Sequence, residues 1–241
     1  LEQPEPNYSE ILDRSVTRGL APRKVTLSDF ESKAKELLKD IQECPHYAKL
    51  LNGVHVPFIY WDDRCLDLGA DLQEFLLPSV QDSFTDFYPG AHFKAVLQSD
   101  AKLAEHVALD PQSRYQSFID ASRKGPVAGW FFPQVTQEFD VRSQRLQMSS
   151  LPKIDGVNIC LSGGKDVCAA LVGTPNLLIS ESFYTPILCM SSYVHVDPRL
   201  VLLMKAYYAG FRAMVWWVNC VFSVIALRVF SWRKSNMRYL T

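Results

Sequence analysis

Apolar residues recur at helical spacing through the first half of this chain and in short unbroken runs through the second. Residues 1–25 carry neither pattern; polar and broken by proline, they predict an extended arm with one short helix over Tyr8 to Val16. A clear helix follows. Ser28-x-x-Glu31 reads as a capping box, Phe30, Ala34, Leu37, Leu38 and Ile41 share one face, and Cys44-Pro45 stops it. A short helix from His46 to Leu51 ends at Asn52-Gly53. Val54 to Tyr60 is β-branched and aromatic but contains Pro57, which predicts an edge strand. Helices are expected over residues 68–87, 92–109 and 110–123, the last with Asp110 as N-cap and Pro111 in its first turn.

From Val127 onward, short apolar runs alternate with Pro, Gly and Ser, a texture of short strands and loops. Asp197-Pro198 then repeats the cap-plus-proline signature, and a helix from there to Trp232 would hold about 35 residues and reach roughly 52 Å. The expected fold class is α+β: a predominantly helical soluble domain with short strands in its second half, plus one C-terminal transmembrane helix. The expected divisions are an arm (1–25), a helical region (26–126), a mixed short-strand and loop region (127–196) and a long C-terminal helix (197–241).

The membrane expectation rests on Ala213 to Trp232, about 20 residues, which as a helix would span roughly 30 Å, the thickness of a bilayer's hydrocarbon core. Trp216 and Trp217 stand near one end, Phe230 and Trp232 near the other, and Arg212, Arg233 and Lys234 fence the run. The strictly uncharged part covers only residues 213–227, which equally describes a buried core helix of a soluble domain. On such a helix Lys205, Arg212 and Asn219 recur every seven residues, with Ser223 one turn further, a polar stripe suited to partner helices. Arg228, Arg233, Lys234 and Arg238 are expected at the head groups, where they would meet anionic lipid such as cardiolipin.

A formal net charge of −1 supplies no basic field for nucleic acid, so none is expected as a partner. The six cysteines form no CxxC pair and one lies inside the apolar run, so free thiols are expected rather than a disulfide framework or zinc site. The five histidines show no HxxxH or HExxH spacing, and no metal or cofactor is expected. The chain starts at Leu1, consistent with removal of a presequence.

One motif points to chemistry. The apolar Val157 to Leu161 leads into Ser162, Gly163, Gly164, Lys165 and Asp166. This resembles the SGGxDS phosphate-cradling loop of the ATP-pyrophosphatase (PP-loop) family, which implies strand–loop–helix geometry and glycine amides on a nucleotide's pyrophosphate. Val167 stands where that family has its final serine, and only about 30 residues separate Asp166 from Asp197, short of a nucleotide-binding domain. Gly163-Gly164 reads equally as a turn between short strands. Asp62, Asp63, Asp67 and His55 form a second, looser candidate for metal or acid–base work, although no helical spacing brings them together.

The expected function is that of a non-catalytic, single-pass accessory subunit of a multi-subunit membrane complex, respiratory or ATP-synthase, in the mitochondrial inner membrane. Its alternatives are a membrane-anchored nucleotide-binding enzyme using the SGGKD loop, and a tail-anchored adaptor of the endoplasmic reticulum or outer mitochondrial membrane.

Overall fold

The structure, a computed structural model, describes residues 3–90, 92–96, 103–133, 140–153, 157–178, 187–197, 200–207, 210–217 and 224–227. It is a mixed α+β fold. Helices α1 (Tyr8–Thr17) and α2 (Leu27–Glu43) precede strand β1 (Val56–Tyr60). A continuous helical rod follows, made of α3 (Leu68–Ala70), a π-helical stretch (Asp71–Leu76) and α4 (Leu77–Phe87). Then come β2 (His92–Val96), β3 (Val107–Leu109), α5 (Gln116–Lys124), β4 (Val127–Phe132), α6 (Val141–Ser150), β5 (Asn158–Leu161) and α7 (Gly164–Gly173). The described chain closes with β6 (Leu188–Cys189), β7 (Tyr193–His195), β8 (Leu200–Tyr207), β9 (Gly210–Trp217) and β10 (Val224–Leu227).

The organising element is an antiparallel sheet ordered β1-β4-β10-β5. Pro57 lies in edge strand β1, where its missing N–H disturbs no ladder. Successive side chains point to opposite faces of a strand, and here both faces are covered. Val56, Phe58, Tyr60, Val127, Phe131 and Cys160 enter one core with α4, α5 and α7. Ile59, Ala128, Trp130, Phe132, Ile159 and Leu161 enter the other with α1 and α2. The Trp130 indole N–H donates to the Ala34 carbonyl at 2.7 Å, pinning α2 to the centre of the sheet. Two further sheets are ordered β2-β9-β8-β6 and β3-β7.

Several local expectations hold. The arm contains α1, and α2 buries Phe30, Ala34, Leu37 and Ile41. Its cap is Thr26, whose side chain accepts from the Asp29 amide, not Ser28 two residues later. Asp110 caps a single 3-10 turn, Pro111–Ser113, before α5 begins.

Two expected long helices are not found among the described residues. Within 92–109 the described ends are strands, His92–Val96 pairing in parallel with β9 and Val107–Leu109 antiparallel with β7. Within 197–241 the described residues are also strands: β8 and β9 form an antiparallel hairpin, and Val224–Leu227 lies between β4 and β5. Strands β8, β9 and β10 are made largely of Leu, Val, Met, Ala, Phe and Trp, and backbone pairing between strands overrides the helical reading of an apolar stretch. No helix among the described residues is long and apolar enough to cross a membrane. Residues 218–223 and 228–232 of the expected span, and the basic tail 233–241, lie outside the described residues.

Candidate functional site

The SGGKD segment has the strand–loop–helix form expected of it: β5 ends at Leu161, Ser162 and Gly163 turn the chain, and α7 starts at Gly164. Every residue of α7 is buried, because the helix lies between the central sheet, α1 and α4. Such a helix needs apolar residues all round, and Val167 to Gly173 supplies them. Lys165 and Asp166 are therefore carried into the core. They are fully buried, as is Ser162.

The loop does not present its amides to an incoming anion. The Gly163 N–H donates to Asp166 Oδ1 at 2.7 Å, and the Tyr115 hydroxyl donates to the same oxygen at 2.6 Å. The Asp166 N–H in turn points to the Tyr115 hydroxyl oxygen at 3.3 Å. Two tyrosine rings fill the remaining space. A methyl group on Gly163 would stand 2.7 Å from ring atoms of both Tyr115 and Tyr193, and one on Gly164 would stand 2.8 Å from Tyr193. Glycine is required here for close approach of the chain's own rings, not of a phosphate.

Burial pushes the Asp166 carboxyl up to about 7, against the opposing pull of the Tyr115 hydroxyl and the Gly163 amide. Burial also raises the Tyr115 hydroxyl well above its ordinary value, reinforced by the neighbouring Asp166 charge.

Lys165 meets two carboxylates. Its Nζ pairs with Asp71 Oδ2 and lies 3.1 Å from Asp62 Oδ2, and none of the three side chains exposes any surface. Tyr60 completes the cage. Its hydroxyl donates to Asp71 Oδ2 at 3.2 Å and accepts from Lys165 Nζ at 3.3 Å and from Arg64 Nη2 at 3.1 Å. Arg64 Nε donates to Asp71 Oδ1 at 3.2 Å, and its guanidinium stacks over the Phe75 ring at 3.5 Å. Arg123 Nε approaches Asp62 Oδ2 at 3.4 Å. Burial, then the Asp71 charge, raises the Tyr60 hydroxyl well above its ordinary value. The Asp71 carboxylate opens the π-helical stretch, a local widening of the helix of the kind often found at specialised sites.

The structure thus joins Asp62 to the SGGKD lysine and separates it from its sequence neighbours. Asp63 is exposed and pairs with Arg64 Nη1 at 3.3 Å. Asp67 is exposed and caps α3, accepting from the Gly69 and Ala70 amides. His55 lies in the other core, its ring 5.3 Å from Trp130 and 5.7 Å from Phe132, where burial lowers its proton affinity. Among the described residues no group of three His, Cys, Asp or Glu could hold a metal ion.

Sequence reasoning missed Tyr60, Arg64, Asp71, Tyr115, Arg123 and Tyr193. Asp71 had a signal, since it stands between Leu68 and Phe75 at helical spacing, an acidic residue where an apolar stripe runs. Of the expected partner stripe, Lys205 and Arg212 are backbone register partners in the β8–β9 pair, and Asn219 and Ser223 lie outside the described residues. The same holds for Arg228, Arg233, Lys234 and Arg238. Comparison with protein-family models, with curated proteins and with solved structures finds no match for this chain.

Proposed function

We propose that this chain is a non-catalytic accessory subunit of a multi-subunit membrane complex, a mitochondrial inner-membrane respiratory or ATP-synthase assembly being the specific reading. One observation supports it above the others: the only motif that offers a nucleotide chemistry is consumed internally. Tyr115 and Tyr193 fill its mouth, Asp166 takes its amide, and Asp62 and Asp71 take its lysine. Side chains so used stabilise a core; they are not held ready for substrate. The membrane part of the reading draws on the apolar run 213–232 with its terminal aromatics and basic flanks, which would also attract anionic lipid such as cardiolipin. It requires residues 213–217 and 224–227, strands in the structure, to become helical in lipid.

Native electrophoresis of the detergent-solubilised protein, paired with alkaline carbonate extraction, tests the reading. A chain that resists extraction and migrates with a large complex is expected. A chain resisting extraction but migrating alone would be an anchored adaptor, and one released by carbonate would end the membrane proposal. Saturable protection of the SGGKD loop from proteolysis by ATP would replace it with the nucleotide-binding enzyme.

A further inference from the structure

We propose that Lys165 and Asp71 are the reactants of an intramolecular amide cross-link, with Asp62 as the residue that moves the proton. Direct contact is the first requirement, and Nζ of Lys165 pairs with Asp71 Oδ2. A second acid beside the amine is the next, and Asp62 Oδ2 lies 3.1 Å from Nζ. Groups that polarise the attacked carboxyl are the third. Arg64 Nε donates to Asp71 Oδ1 at 3.2 Å and the Tyr60 hydroxyl to Oδ2 at 3.2 Å. Exclusion of water is the last, and Lys165, Asp62, Asp71 and Tyr60 are all fully buried.

The balance is that of a condensation. The Lys165 ammonium gives one proton to Asp62, and the freed amine attacks Cγ of Asp71. A C–N bond forms and the C–Oδ2 bond breaks. Oδ2 leaves as water, carrying the proton held by Asp62 and a second one lost from Nζ. Oδ1 stays as the amide oxygen, held by Arg64. Nothing is oxidised or reduced, and no outside reactant is consumed.

Two physical terms favour the product. A buried ammonium and a buried carboxylate each forgo hydration, and the neutral amide that replaces them needs little. The fold also holds amine and carboxyl in contact, which converts an encounter between two free groups into a step within one molecule. The bond would tie α7 to the π-helical stretch across a sequence separation of 94 residues.

The test is the intact mass of the purified full chain, followed by tandem mass spectrometry of its tryptic peptides. The expected mass is that of the sequence less one water, with a branched peptide joining the Asp71 and Lys165 segments and no cleavage after Lys165. Asp62→Asn, which keeps both reactants, is expected to restore the full mass. An unmodified wild-type mass overturns the proposal without recourse to any variant. So does loss of water confined to linear peptides, as cyclisation at Asp155-Gly156 would give. A branched peptide persisting in Asp62→Asn overturns the role given to Asp62.

Discussion

The buried carboxyl at the start of α7 makes stability depend on pH in a direction opposite to that of most acidic residues. Asp166 is fully buried, and its folded value of about 7 compares with 3.8 for a free side chain. Between these two values the unfolded chain has released the proton while the folded chain keeps it. Stability therefore falls as pH rises through that window and is flat on either side. The gap is about three pH units, which at about 1.4 kcal/mol per unit gives a loss on the order of 4 kcal/mol. Asp166→Asn keeps an oxygen to accept from the Gly163 amide and the Tyr115 hydroxyl but has no proton to lose. Urea unfolding followed by tryptophan fluorescence, at about pH 4 and about pH 8, would compare the two proteins with all other titrations in common. The variant is expected to gain on wild type by a few kcal/mol between the two conditions. Parallel pH profiles for the two proteins would refute the reasoning, because they would mean that Asp166 is ionised throughout or solvated.

Other substitutions test the packing directly. Gly163→Ala puts a methyl 2.7 Å from two buried tyrosine rings, so a loss of about 1–3 kcal/mol in denaturant titration is expected. An open phosphate cradle would tolerate it. Trp130→Phe removes the indole hydrogen bond to Ala34 and leaves a small void between α2 and the sheet, with an expected cost of about 2 kcal/mol by thermal melting. Gly69→Ala would drive a methyl into the Leu103 carbonyl, a backbone group that cannot rotate away, so a loss of about 4 kcal/mol or more and little folded protein on expression are expected.

The legible parts of this fold are those whose pattern is set within a few residues. Helices α1 and α2, the edge strand with Pro57 and the helical rod from Leu68 to Phe87 follow from periodicity, caps and proline position. Where the apolar run is continuous, local pattern does not decide between buried strand and helix. Residues 200–217 could be either until β2, β8 and β9 are brought together from distant parts of the chain. Helix α6 escaped notice for the reverse reason: it is mostly polar, with Gln144 and Met148 its buried residues. At the site, strand–loop–helix was readable in SGGKD itself. Its closure was not, since Tyr115 comes from just before α5, Tyr193 from β7 and the carboxylates from residues 62 and 71, none of which the motif's own sequence specifies.

The position of Val224–Leu227 between β4 and β5 has a consequence for biosynthesis. This strand of the main sheet is synthesised after both of its neighbours, so β4 and β5 must wait with facing edges exposed until residues 224–227 have left the ribosome. Assembly of the main sheet is thereby tied to synthesis of residues 224–227, and a product terminated before them would carry a vacant slot between two unpaired edges, open to any passing extended peptide.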